Sequence, residues 1–186
     1  MAPTLPHKDG EPVKRIAITG PESTGKSWLT AQLAAFYQAP FVPEYSREYL
    51  ESLGRPYEYE DILAIAQGQL NAEESMAKNS DALWLFSDTD LLVTYIWCQV
   101  KYGKVHPWIV EKLSSHSYHH YLLCDIDLPW QPDPLREHPH RRNEIFSLYI
   151  KALKQHGFPF TIIRGEGETR LFNAVTAVNE SLTIRC

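Results

Sequence analysis

The chain has 186 residues, 44% of them hydrophobic, enough for one compact domain with its own core. Its formal net charge of −5 argues against a nucleic-acid partner but not against a phosphate held by one local loop. No apolar run reaches the length of a membrane span, and the polar opening MAPTLPHKDGEPVKR has no apolar stretch of signal-peptide type. The expectation is a cytoplasmic protein without membrane partners, with residues 1–13 a flexible leader and residues 14–186 one domain.

VKRIAIT, 13–19, predicts a buried strand, and 26–37 a helix with Leu29, Leu33 and Phe36 or Tyr37 on one stripe. Between them lies GPESTGKS, 20–27, a full match to G-x-x-x-x-G-K-S in the strand–loop–helix context that the motif requires. Gly20 and Gly25 let the backbone turn so that its N–H groups converge on phosphate oxygens, and the helix N-terminus adds positive potential there. Lys26 is placed to reach the β- and γ-phosphates, and the Ser27 hydroxyl to bind Mg²⁺. The expected ATP-binding set is Gly20, Pro21, Glu22, Ser23, Thr24, Gly25, Lys26, Ser27 and Trp28.

FVP, 41–43, is a brief second strand, and 46–53 and 59–78 are helical, broken apart by Gly54 and Pro56. Glu44 falls at the end of that strand, where ligands of open parallel sheets collect. A sugar hydroxyl attacking a γ-phosphate needs an acceptor for its proton, a role that suits Glu44, with Arg47 one turn on as a clamp. The plainer alternative makes Ser46 the helix N-cap and Glu48 a first-turn acid, and for Glu48 that alternative is preferred.

ALWLFS, 82–87, is the third strand and runs into SDTD, 87–90. Asp88 is the candidate carboxylate for Mg²⁺; Asp90 either caps the next helix or contacts a sugar hydroxyl. Helices follow over about 90–101 and 107–115, separated by Gly103 and Pro107. YHHYLLCDI, 118–126, contains the fourth strand. His116, His119 and His120 straddle its start, where side chains alternate faces, so a shared metal is disfavoured. Cys98 and Cys124 sit in apolar runs and read as core, and with the distant Cys186 they form no zinc or redox spacing.

DIDLPWQPDPLREHPHRR, 125–142, is rich in proline and charge and reads as a lid loop, with His138 and His140 in solvent. Arg136, Arg141 and Arg142 would stabilise a transferring phosphate, or else pair with Asp133, Glu137 and Glu144. A helix at about 142–156, the strand FPFTIIR at 158–164 and a helix at about 168–181 complete the chain. Strands alternating with helices imply an α/β fold, a doubly wound five-stranded parallel sheet with helices on both faces.

There is no N-K-x-D for reading guanine and no LSGGQ-like signature, so a compact kinase for a small molecule suits the chain better than a GTPase or a transporter ATPase. The alternatives are an ATPase without a small acceptor and a non-catalytic nucleotide-binding module. GPESTGKS, EYSRE, SDTD and D-I-D-L-P-W, in that order, resemble the ribosylnicotinamide kinase domain of the NadR family from about residue 14 onward. The resemblance implies a P-loop kinase that phosphorylates nicotinamide riboside with ATP and Mg²⁺. It implies Lys26 and Ser27 for ATP and Mg²⁺, and Glu44, Tyr45 and Arg47 with Asp88 and Asp90 for the nucleoside. It implies a lid around Trp130 and Arg136, and adenine near Arg164 and Glu166. Relatives hold the nicotinamide ring with aromatic side chains; the candidates here are Tyr45, Tyr49, Tyr57, Trp97 and Trp130. Adenylyl transfer and transcriptional control, which larger family members place on further domains, are not expected of these residues. Another nucleoside or small alcohol remains the alternative acceptor.

Overall fold

The computed structural model describes residues 12–116 and 118–182, so the leader up to residue 11 and Cys186 lie outside the described residues. Five strands form one all-parallel sheet: β1 (Lys14–Thr19), β2 (Phe41–Val42), β3 (Trp84–Asp88), β4 (His120–Cys124) and β5 (Phe160–Ile163). Their order is β2-β3-β1-β4-β5, with β1 at the centre. Ile16 is in register with Phe86 of β3 and with His120 of β4. The helices are α1 (Lys26–Tyr37), α2 (Tyr45–Leu53), α3 (Tyr59–Lys78), α4 (Leu91–Tyr102), α5 (Pro107–Ser115), α6 (Arg142–Gln155) and α7 (Gly167–Ser181).

The pleat divides the core in two. Ile16 and Ile18 of β1, Phe86 of β3 and Leu122 of β4 face α1 and α7, where Leu29, Leu33, Ala174 and Val178 meet them. Ala17 of β1 and Tyr121 and Leu123 of β4 face the other way, toward Ile62, Leu91, Ile96 and Ile109 of α3, α4 and α5. All of these side chains are buried, the larger aliphatic and aromatic ones each contributing on the order of 1.5–3 kcal/mol for removal from water. Burial on both faces explains the continuous apolar runs in the sequence. Cys98 and Cys124 are buried in these layers, as expected. Among the described residues no helix is long and apolar enough to cross a membrane.

The strap from β2 to α3 is fastened by Asp61. It closes a capping box with Glu58, accepts from Arg55 at 2.7 Å and 2.9 Å, and accepts from the Tyr49 hydroxyl at 2.9 Å. The Arg55 hydrogen bond, then the Glu58 backbone bond, hold its carboxyl well below the usual range. One local expectation changes: the N-cap of α2 is Glu44, not Ser46. The Ser46 hydroxyl is inside the first turn and donates back to Glu44 Oε1 at 2.7 Å, while Glu48 is the first-turn acid. His116, His119 and His120 point to separate partners: Arg15, the Ser181 carbonyl and Thr161.

Candidate active site at the carboxyl rim of the sheet

All five strands end on one rim, and the chemistry collects there. β1 runs into the loop 20–27, which crosses the end of β4 at close range. Gly20 has φ 134°, and a Cβ on it would lie 2.9 Å from the Cys124 carbonyl oxygen. Gly25 caps α1 in the left-handed conformation, φ 76°. The Thr24 hydroxyl donates to the Pro21 carbonyl at 2.8 Å and braces the turn. Lys26 Nζ arches over the loop, donating to the carbonyls of Gly20 at 3.0 Å and Pro21 at 2.8 Å.

Opposite this loop stand the ends of β2 and β3. Asp88 is almost fully buried, and burial pushes its carboxyl up to about 6; the Ser27 hydroxyl bonded to it works against the rise, as do Lys26 and Arg47, while Glu44 adds to it. One Asp88 oxygen, Oδ1, is buried with no partner among the described residues. Asp90 caps α4 by accepting from the Val93 N–H at 3.1 Å, and also accepts from the Thr19 hydroxyl at 3.2 Å. Its second oxygen, Oδ2, is buried with no partner among the described residues, so the capping role leaves one oxygen unused beside the cavity. Burial pushes the Asp90 carboxyl up to about 7. Thr89, between the two acids, has φ 69°, a strained backbone for a β-branched residue.

The lid, 125–141, is docked on the phosphate loop. The Glu22 carboxylate accepts the backbone N–H groups of Glu137 at 3.1 Å and His138 at 3.0 Å. The Ser23 hydroxyl accepts from Gln131 N–H at 2.8 Å, and Arg142 donates to the carbonyls of Leu128 and Ser23, both at 3.0 Å. A second set of bonds joins the lid to the far wall. The Trp97 indole donates to the Tyr57 hydroxyl at 2.9 Å, and that hydroxyl donates to Glu137 at 2.5 Å. Lys101 pairs with Glu137 at 2.8 Å and lies over the Tyr57 ring. Arg47 reaches Asp133 of the lid at 3.0 Å.

These elements surround a cavity of about 630 Å³, the size of sites that enclose small ligands. Of the expected residues, Gly20 to Trp28 line it, with Glu44, Arg47, Asp90, Arg136 and Glu166. Asp88 stands just behind that wall, beside Ser27. Three expected residues fall outside it. The Tyr45 ring lies across Gly68 of α3 and beside Tyr49, used in packing. Trp130 is turned toward Arg142, whose guanidinium is 6.0 Å from the ring centre. Arg164 points outward and pairs with Asp125 at 2.6 Å. Of the five aromatic candidates for a ring clamp, only Trp97 is on the wall. Arg141 pairs with Glu144 at 2.7 Å, as the plainer reading of that arginine had it, whereas Arg136 and Arg142 bond to backbone carbonyls.

Sequence reasoning missed Arg170. It is 1% exposed and donates to Asp127 at 2.9 Å and to the carbonyls of Thr24 at 2.9 Å, Asp125 at 3.1 Å and Gly165. It thereby ties the phosphate loop to the ends of β4 and β5. The signal was available: Arg170 begins the buried stripe Arg170, Ala174, Ala177, Val178 and Ser181 of α7, and a cation on such a stripe requires partners.

Known proteins resemble this chain in sequence and in fold. The trifunctional NAD biosynthesis/regulator protein NadR of Escherichia coli (strain K12) is 28% identical over 177 residues, covering 91% of this chain and 43% of that protein. A crystal structure of NadR in complex with NAD and AMP-PNP superposes with a TM-score of 0.77 at 24% identity, covering 94% of this chain and 51% of that one. A second, in complex with NR, gives 0.78 at 23% identity, covering 93% and 52%. The chain thus spans about half the length of the relatives it matches. The five-stranded parallel sheet is shared with these structures and with a deoxyadenosine kinase from M. mycoides, TM-score 0.61 at 15% identity, covering 89% of this chain and 99% of that one. A family model described as an AAA domain matches residues 15–170, and the chain belongs to that family.

Proposed function

We propose that the protein is an ATP-dependent kinase that phosphorylates the 5′-hydroxyl of nicotinamide riboside to give nicotinamide mononucleotide. The observation that carries this reading is one cavity with two unlike ends: a complete phosphate loop on one side and Glu44, Arg47 and Asp90 on the other. That division suits a nucleotide donor and a hydroxylic acceptor. The likeness to NadR across 91% of this chain supports the choice of acceptor, as does the NR complex of a protein with the same fold.

The backbone N–H groups of the loop would cradle the ATP phosphates, with Lys26 leaving the carbonyls of Gly20 and Pro21 for the transferring group. The acceptor hydroxyl oxygen forms its bond to the γ-phosphorus while the bond to the β-bridging oxygen breaks, and ADP departs. Glu44 takes the hydroxyl proton; Asp90 Oδ2 and Arg47 hold the ribose. Arg136 on the lid neutralises charge spreading over the phosphoryl oxygens, and the docked lid excludes water. Glu166, the N-cap of α7 on the cavity wall, would stand beside the adenine. The unpartnered Asp88 Oδ1 beside Ser27 fits a hard cation with oxygen ligands, so these two residues would hold Mg²⁺. When bound, that ion would supply neutralisation of the phosphate charge.

The test is to incubate the protein with ATP, Mg²⁺ and nicotinamide riboside beside a panel of other nucleosides. The expected result is mononucleotide and ADP in equal amounts. Turnover of another nucleoside with no mononucleotide from millimolar riboside would reassign the acceptor. ATP hydrolysis that no nucleoside alters would remove the kinase reading.

A further inference from the structure

We propose that Gly68 and Gln69, in the middle of α3, are the joint that sets Glu44 in register with the end of β3. The inference rests on the role given to Glu44 above. Glu44 is placed by very little. The strand before it, β2, has two residues, and α2 after it has no fully buried side chain. The first N–H groups of any helix lack intrahelical partners, and Glu44 as N-cap makes no side-chain capping bond here. The first of them, Tyr45 N–H, donates instead to Gln69 Oε1 at 3.0 Å.

The same amide reaches the other acids. Gln69 Nε2 donates to the Thr89 carbonyl at 3.4 Å, between Asp88 and Asp90, at the residue held at φ 69°. Thr89 N–H is fixed in turn to the Ile18 carbonyl of β1 at 3.1 Å. Gln69 is 2% exposed. Its acceptor end holds the start of α2 and its donor end holds the end of β3. A glutamate would lose the donor, and a leucine both. Gly68 supplies the room. A Cβ at that position would lie 2.1 Å from Cε1 and 2.3 Å from Cζ of the Tyr45 ring, so any side chain there must displace that ring from its seat on α3, next to Glu44. Two adjacent residues thus fix the ring and the backbone of the residue that follows Glu44.

The experiment is a mutant cycle read in steady-state kinetics with ATP, Mg²⁺ and nicotinamide riboside. Gln69→Leu and Gly68→Ala are each expected to lower kcat by about tenfold to a hundredfold, the effect of a small misplacement of a reacting group. KM for ATP and for the riboside should stay within about twofold, which separates positioning from direct substrate contact. In a Glu44→Gln background the same changes should cost less than about twofold more, because the group they position is gone. Adding Tyr45→Ala to Gly68→Ala should recover part of the lost kcat by removing the ring that a new Cβ strikes. Losses that multiply in the Glu44→Gln background, or a Gln69→Leu enzyme of unchanged kcat, would overturn the joint and leave the role of Glu44 standing. Full activity of Glu44→Gln alone would remove that role, and the joint with it. Gln69→Leu keeps the question open to refutation if Gly68→Ala does not fold.

Discussion

Lys26 and Glu44 carry the sharpest chemical expectations. Lys26 Nζ is held on two loop carbonyls, at hydrogen-bond distances that a phosphate oxygen can better. Lys26→Ala should lower kcat by about two to three orders of magnitude while circular dichroism shows an intact fold. Glu44→Gln keeps the shape and removes the proton acceptor, so kcat should fall while ATP affinity, measured by calorimetry, stays the same. Both positions on the cavity wall were legible in the sequence because their settings are local: one belongs to an eight-residue pattern, the other to a strand end. Thr89 and Gln69 were not. A threonine carries no mark of a left-handed backbone, and a glutamine in a helix reads as a solvated polar residue until the fold brings β3 against it. Tyr45 and Trp130 stand off the cavity wall for the complementary reason. Their proximity in sequence to site residues did not settle which way their rings turn, and Gly68 and Arg142, distant in sequence, did.

At the scale of elements, the order of strands and helices followed from hydrophobic runs and their glycine and proline breaks, because a sheet buried on both faces writes itself as apolar stretches. The ends of helices were less legible, since α2 starts on an acid that caps without a side-chain bond. The lid was recognisable as a loop from its prolines, but its moorings to the phosphate loop were not, because they are made largely through backbone groups that no residue type announces. Glu22 holds two of them. Glu22→Ala should therefore loosen the lid: amide hydrogen exchange over residues 131–140 should speed up and KM for ATP should rise, with little change in thermal stability. Unchanged exchange there would mean that the other moorings, from Arg142, Ser23, Arg47, Tyr57 and Lys101, suffice to hold it.

For the molecule as a whole, Arg170 is the interior fastening. Arg170→Met would leave the carbonyls of Thr24, Asp125 and Gly165 without their donor and Asp127 without its cation. The expected cost is about 2–4 kcal/mol, visible as a fall in Tm, more than any exposed ion pair here should give. His120 should govern part of the acid response. It is buried against Thr161, and burial, then the charge of His119, pushes its imidazole down to about 4 from 6.5. Between those values the unfolded chain binds a proton that the native state refuses, so stability falls as pH drops from 6.5 toward 4. His120→Gln should flatten that part of a Tm-against-pH curve. The docked lid also has a consequence in time. For the lid to open, Glu22 must let go of the backbone of Glu137 and His138, and the Trp97–Tyr57–Glu137 chain must part. Release past the lid is expected to limit the cycle, so a viscous cosolvent should slow turnover in proportion.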